Sequence, residues 1–249
     1  MTQRRKLIAG NWKMNGLAAQ LEDVSAIDAL ARGRGDIDVV LFVPATLIAP
    51  AAARAKHAAI GAQDVHQAES GAFTGNLSAA MLVEAGAKGT IVGHSERRQY
   101  QQETSADVAA KAVRAHAHGL SVVLCVGETL DTREQGDDVA HAFVSDQLVA
   151  SLPEGADAAW LTIAYEPVWA IGTGKVASPS QVEAMHAALR ATLVKTLGDA
   201  NGNAMRILYG GSVSGDNAAE LLHTANVDGA LVGGASLTAA KFGPIVEAA

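Results

Sequence analysis

A single glutamate, Glu166, stands between the apolar run Leu161-Thr162-Ile163-Ala164-Tyr165 and an apolar, glycine-containing segment that extends from Pro167 to Lys175. A carboxylate beside such a loop can be stripped of water. Desolvation raises its basicity, which is what abstraction of a proton from a weak carbon acid requires. The plainer reading is a strand-end glutamate in a surface ion pair. His94 lies between Gly93 and Ser95-Glu96-Arg97-Arg98, which reads as the first turn of a short helix. Free N–H groups at that helix start disfavour an imidazolium, so the ring can stay neutral and donate a hydrogen bond to a substrate oxygen. Its alternative is a satisfied core histidine. Lys13, flanked by Trp12 and Met14, can neutralise an anion or a developing oxyanion. The pairs Gly210-Gly211 and Gly233-Gly234 offer backbone N–H groups without side-chain obstruction. A serine and then a helix follow each pair, an arrangement suited to phosphate.

Other chemistries find less support. Gly172-Thr173-Gly174-Lys175 is not a Walker loop, since Trp169 stands where the first glycine belongs and Val176 replaces the hydroxyl residue, so ATP is not implied. His116 and His118 are two apart and diverge on a helix, and the remaining histidines have no ligand spacing, so no metal site is expected. Cys125 lies inside an apolar run and reads as packing; as the one cysteine it cannot form an intrachain disulfide.

These groups need a scaffold that gathers them. Eight short aliphatic runs recur: Leu7 to Gly10, Val39 to Val43, Ala59 to Ala62, Thr90 to Gly93, Val122 to Val126, Leu161 to Tyr165, Arg206 to Tyr209 and Ala230 to Val232. Several are apolar on consecutive residues, as parallel strands buried on both faces must be. Helical periodicity fills the intervals, for example Leu17, Leu21, Val24 and Ile27, or Val182, Met185, Leu189, Leu193 and Leu197. Ser178-Pro179-Ser180-Gln181 carries an N-cap serine, a proline at the first helical position and a capping-box glutamine, and Ser214 is a second cap candidate. Eight strand–helix units in 249 residues predict one α/β domain over 1–249, a closed (β/α)8 barrel. An open doubly wound sheet is the rival, but the GxGxxG loop of its dinucleotide-binding version is missing after the first strand. In a barrel, all carboxyl ends of strands open on one face, and Asn11, Lys13, His94, Ser95, Glu96, Glu166 and both glycine pairs all follow strand ends.

Nineteen basic and twenty-six acidic side chains leave a net charge of −7, which argues against a nucleic-acid partner. Neither a signal peptide nor a membrane span is read, and a soluble cytoplasmic protein is expected. The stretch from Gln63 to Leu77 reads as a long loop without helical period. Phe73 at its tip predicts burial against a partner subunit.

AGNWKMNG at 9 to 16, IVGHSERR at 91 to 98, LCVGE at 124 to 128, AYEPVWAIGTGK at 164 to 175, YGGSV at 209 to 213 and LVGGAS at 231 to 236 occur in the order found in the triosephosphate isomerase family. The chain resembles that family across its whole length. The resemblance implies a TIM barrel that interconverts glyceraldehyde 3-phosphate and dihydroxyacetone phosphate without a cofactor. It makes Glu166 the base, His94 the neutral electrophile, Lys13 the electrostatic partner of the enediolate with Asn11 beside it, and Glu96 an acid next to the site. This family is itself a standard illustration of such acid/base pairing and of lid closure. The resemblance further implies a lid over 167 to 177, with Gly172 gripping phosphate alongside Ser212, Gly233 and Gly234. It also implies a homodimer in which the 63 to 77 loop brings Thr74 near Lys13 of the neighbouring subunit. The sequence departs from the family pattern at Asn76, where relatives commonly carry glutamate, and at Gln101-Gln102, where many have Phe-Gly. Two other readings remain: a Schiff-base aldolase with Lys13 as nucleophile, and a non-catalytic phosphosugar-binding scaffold.

Overall fold

The computed structural model describes residues 4–171 and 175–249, and across them the chain forms eight strands. They are β1 (Leu7–Asn11), β2 (Asp38–Val43), β3 (Ala59–Ala62), β4 (Gly89–Val92), β5 (Ser121–Val126), β6 (Leu161–Tyr165), β7 (Arg206–Tyr209) and β8 (Gly229–Val232). Each pairs in parallel with its neighbour, and β8 returns to β1, so the sheet closes. The consecutive apolar runs follow from this closure. Side chains alternate across a strand, so Leu7, Ala9, Val40, Phe42, Val123, Cys125, Ala164, Leu208 and Leu231 fill the barrel interior. Ile8, Leu41, Val43, Val122, Leu124, Ile163 and Ile207 point outward under the helices. Volumes are matched inside: a Cβ at Gly61 would lie 2.5 Å from the Phe42 ring, so glycine there is what admits the phenyl group.

The helical stripes hold with small corrections. Val182, Met185, Leu189 and Leu193 are buried along Pro179–Ala204, and Ser178 closes its capping box with Gln181. Leu21, Val24 and Ile27 are buried in the helix Leu21–Arg32, but Leu17 precedes that helix and is 75% exposed. Ser214 is not a side-chain cap. A turn over 215–217 intervenes, its carbonyl accepts from Asn217 and Ala218, and the helix Ala218–Leu222 starts from Asn217. No helix among the described residues is long and apolar enough to cross a membrane.

Asp28, buried on the inner face of Leu21–Arg32, ties that helix to the start of β3. Its Oδ1 accepts from the N–H groups of Lys56, His57 and Ala58 at 2.8, 2.6 and 2.8 Å. Burial raises its carboxyl, but the three donors and the nearby His57 more than reverse this, leaving it below the usual carboxylate range. A depressed folded-state value means the stabilisation is complete above the unfolded-state pKa of about 4 and is lost as pH falls below it. Asp28→Ala should therefore cost about 1–3 kcal/mol in neutral urea denaturation, and the difference from the parent should shrink in acid. Gln102, which follows the end of the helix Ser95–Tyr100, has φ +54°. A side chain pays for that left-handed conformation, so Gln102→Gly should stabilise the fold by about 0.5–1 kcal/mol and raise Tm by a few degrees.

Candidate active site

The carboxyl ends of the strands open into a cavity of about 410 Å³ lined by Asn11, Lys13, His94, Glu166, Gly210, Gly211, Ser212, Gly233 and Gly234 among others. Five strand ends thus converge as the sequence pattern requires. The Glu166 side chain is 3% exposed and that of His94 6%, and Nε2 of His94 lies 2.9 Å from Oε1 of Glu166.

The position of His94 is set locally. Gly93 adopts φ +68°, outside β4 rather than as its last residue, and a Cβ there would meet Arg98 and Val108 at 2.9 Å. Its N–H donates to Glu103 and its carbonyl accepts from Arg98. His94 then becomes the N-cap of Ser95–Tyr100, with Nδ1 accepting the Glu96 N–H at 3.2 Å. An Nδ1 that accepts carries no proton, so Nε2 is the donor and faces Glu166. The same helix start supplies the Ser95 N–H, which donates to Oε2 of Glu166 at 2.8 Å.

These contacts correct the expectation that burial makes Glu166 unusually basic. Burial does push its carboxyl up, but His94, the Ser95 N–H and Lys13 together hold it below the usual carboxylate range. Burial lowers the proton affinity of His94, while the adjacent Glu166 carboxylate raises it by more. That pull depends on Glu166 being charged and in contact. Cys125 is buried inside the barrel as packing, and it also lies against Glu166; burial and then that charge push the thiol well above its usual range.

Lys13 adopts φ +53°, a conformation costing about 1–2 kcal/mol for a residue with a side chain. Hydrogen bonds fix it: its N–H donates to Asn11 Oδ1 at 3.0 Å, and Gln63 donates to its carbonyl at 2.9 Å. Nζ pairs with Glu96 at 2.7 Å, which places Glu96 beside the cavity through Lys13. Ser212 donates from its hydroxyl to the Ala170 carbonyl at 2.9 Å, joining the loop after β7 to the segment after Glu166. Gly172 lies outside the described residues. Thr74 is exposed at its loop tip and does not line the cavity of its own chain.

A family model described as triosephosphate isomerase matches residues 6–249. The chain belongs to the triosephosphate isomerase family. It is 54% identical over 246 residues to the triosephosphate isomerase of Ruegeria sp. (strain TM1040), covering 98% of each chain. It is 52% identical over 248 residues to that of Xanthobacter flavus, covering 99% of this chain and 98% of the relative. The crystal structure of the Bartonella henselae triosephosphate isomerase superposes with a TM-score of 0.90 at 43% identity, covering 98% of both chains.

Within this triosephosphate isomerase family member, the strand-end rule also points to two residues that sequence reasoning left without a role. Gln63 directly follows β3 and holds the Lys13 carbonyl. Glu128 lies two residues after β5, and its Oε1 accepts from the Tyr165 hydroxyl at 3.0 Å and the Trp169 indole at 2.8 Å. It thereby anchors the amino-terminal arm of the loop after Glu166. Carbon-13 titration of Glu166 in the empty protein should give a midpoint below about 4.3, and His94→Asn should move it upward. Nitrogen-15 spectra should show the Nε2–H tautomer of His94; a proton on Nδ1 would contradict the capping bond.

Proposed function

We propose that this chain interconverts D-glyceraldehyde 3-phosphate and dihydroxyacetone phosphate by proton transfer through an enediol(ate), without a cofactor, as a cytoplasmic step of glycolysis and gluconeogenesis. The observation that carries the reading is the buried Glu166–His94 pair at the wall of a cavity that also holds Lys13 and both glycine loops, in a member of the triosephosphate isomerase family. From dihydroxyacetone phosphate, Glu166 takes a proton from carbon one while Lys13 and the His94 Nε2–H stabilise the charge developing on oxygen, with Asn11 beside them. The proton returns at carbon two, and the hydroxyl proton passes from oxygen one to oxygen two. Two features of the geometry suit this cycle. Turning towards substrate, Glu166 gives up the Ser95 N–H, which restores its basicity. Once it has taken the proton its charge is gone, and with it the pull on His94, so burial and the helix start keep the ring neutral.

The backbone of Gly172, Ser212, Gly233 and Gly234 is assigned to the phosphate, whose binding closes the 167 to 177 loop over the reaction and excludes water. Residues 1–249 are taken as one domain that functions as a homodimer. Met14 and Leu17 in the segment after β1, Phe73 in the 63 to 77 loop and Met81 just after it are 97%, 75%, 44% and 54% exposed, apolar side chains that a second copy would cover while bringing Thr74 to Lys13. The Asn76 departure falls on this loop. A Schiff-base role for Lys13 is disfavoured by its 2.7 Å ion pair with Glu96, which occupies Nζ.

In a coupled isomerase assay, Glu166→Asp should keep the charge but displace the base, lowering kcat by about 100-fold or more with little change in KM. Equal rates would remove Glu166 from the role. Borohydride added with substrate should trap no adduct. Sedimentation should give a dimer; a fully active monomer would refute the assembly.

A further inference from the structure

The end of the barrel opposite this site carries a cavity of about 360 Å³ that isomerisation does not use. Its wall is made from the first residues of strands, Leu7, Asp38, Ala59, Ser121 and Arg206, with Lys88 immediately before β4. Five permanent cations line it, Arg5, Arg32, Arg34, Lys88 and Arg206, together with His57, against one acid, Asp38. In a chain of net charge −7 this is a pronounced local excess. Asp38 is already engaged twice, by Arg5 at 2.6 Å and Arg206 at 2.7 Å, and Arg34 pairs with Asp36 at 2.8 Å. Arg32 and Lys88 have no side-chain partner among the described residues.

A second cavity of about 270 Å³ shares His57, Ala59 and Lys88 with the first and adds Lys56. The two hollows therefore adjoin at His57, Ala59 and Lys88, and cations line both. Beneath the first compartment lies an apolar floor that includes Leu7, Val40, Phe42 and Val123. Residues at this end of such barrels ordinarily serve stability. That role accounts for Arg5 and Arg206 on Asp38 but leaves Arg32 and Lys88 without work. A lone small anion would meet only some of these cations; a chain of phosphates could meet the unpaired Arg32 guanidinium and the Lys88 ammonium together, each through a charge-assisted hydrogen bond. We propose that the amino-terminal end of the barrel binds an organic polyphosphate, its phosphates running past Lys88 between the two compartments and its organic part over the apolar floor.

Calorimetric titration of the full chain with ATP, tripolyphosphate and adenosine tests this and does not depend on isomerase turnover. ATP and tripolyphosphate should bind with Kd tighter than about 1 mM, weakening with added salt, while adenosine alone should not bind measurably. Arg32→Glu with Lys88→Glu should weaken ATP binding by about tenfold or more and leave kcat and KM for triose phosphate unchanged. Both side chains are exposed, and a thermal melt by circular dichroism, with Lys88→Ala as a milder variant, separates lost binding from lost folding. The proposal is overturned by absence of ATP binding, by adenosine binding as tightly as ATP, or by affinity that survives the charge reversal. In that last case, a competitive rise in KM would place the polyphosphate in the phosphate grip of the active site instead.

Discussion

The contact between the Glu166 carboxylate and the His94 imidazole is the interaction around which the active end of this barrel is organised. Two titratable groups, both nearly removed from water, face each other at 2.9 Å. Such a pair is tolerable only if each retains partners when the other moves. The first turn of Ser95–Tyr100 supplies them, one N–H to each side chain. A helix start therefore does two tasks at once, fixing which imidazole nitrogen donates and stabilising the carboxylate while the cavity is empty. The arrangement reverses the simple expectation that a buried glutamate must be more basic than usual: here the donors outweigh burial.

The same logic of held tension runs through Lys13. Its left-handed backbone is unfavourable for a residue with a side chain, yet Asn11, Gln63 and the pairing with Glu96 keep it in place. Strain of this kind persists only where surrounding bonds over-determine it. Three separate strand ends, β1, β4 and β6, contribute to the Lys13–Glu96–His94–Glu166 group, and Gln63 after β3 holds Lys13, so its geometry is a property of barrel closure rather than of any one segment.

Closure also sorts charge along the barrel axis. Parallel strands put every carboxyl end on one face and every amino end on the other. The first face combines a carboxylate, an imidazole and glycine backbone. The second gathers arginines and a lysine around Asp38. The closed barrel thereby offers two chemically distinct mouths separated by a packed interior that includes Phe42, Val123 and Leu208.

Much of this was legible in the sequence. Eight aliphatic runs fixed the strands to within a residue or two, because parallel strands buried on both faces leave an unbroken apolar signature, and the capping box at Ser178 marked its helix because the bonds involved are local. The polar residues after strand ends named groups that the structure gathers at one cavity, since a barrel has only one face on which such residues can meet. Distances between residues far apart in the chain were not legible. That the Ser95 N–H would reach Glu166, that Cys125 would touch the same carboxylate, that Glu128 would clasp Trp169 and that unpaired cations would line the opposite mouth depend on which strands neighbour one another and at what register. Those are decided by side-chain packing in the closed barrel, and so the proton affinities set by these long-range contacts belong to the tertiary structure alone.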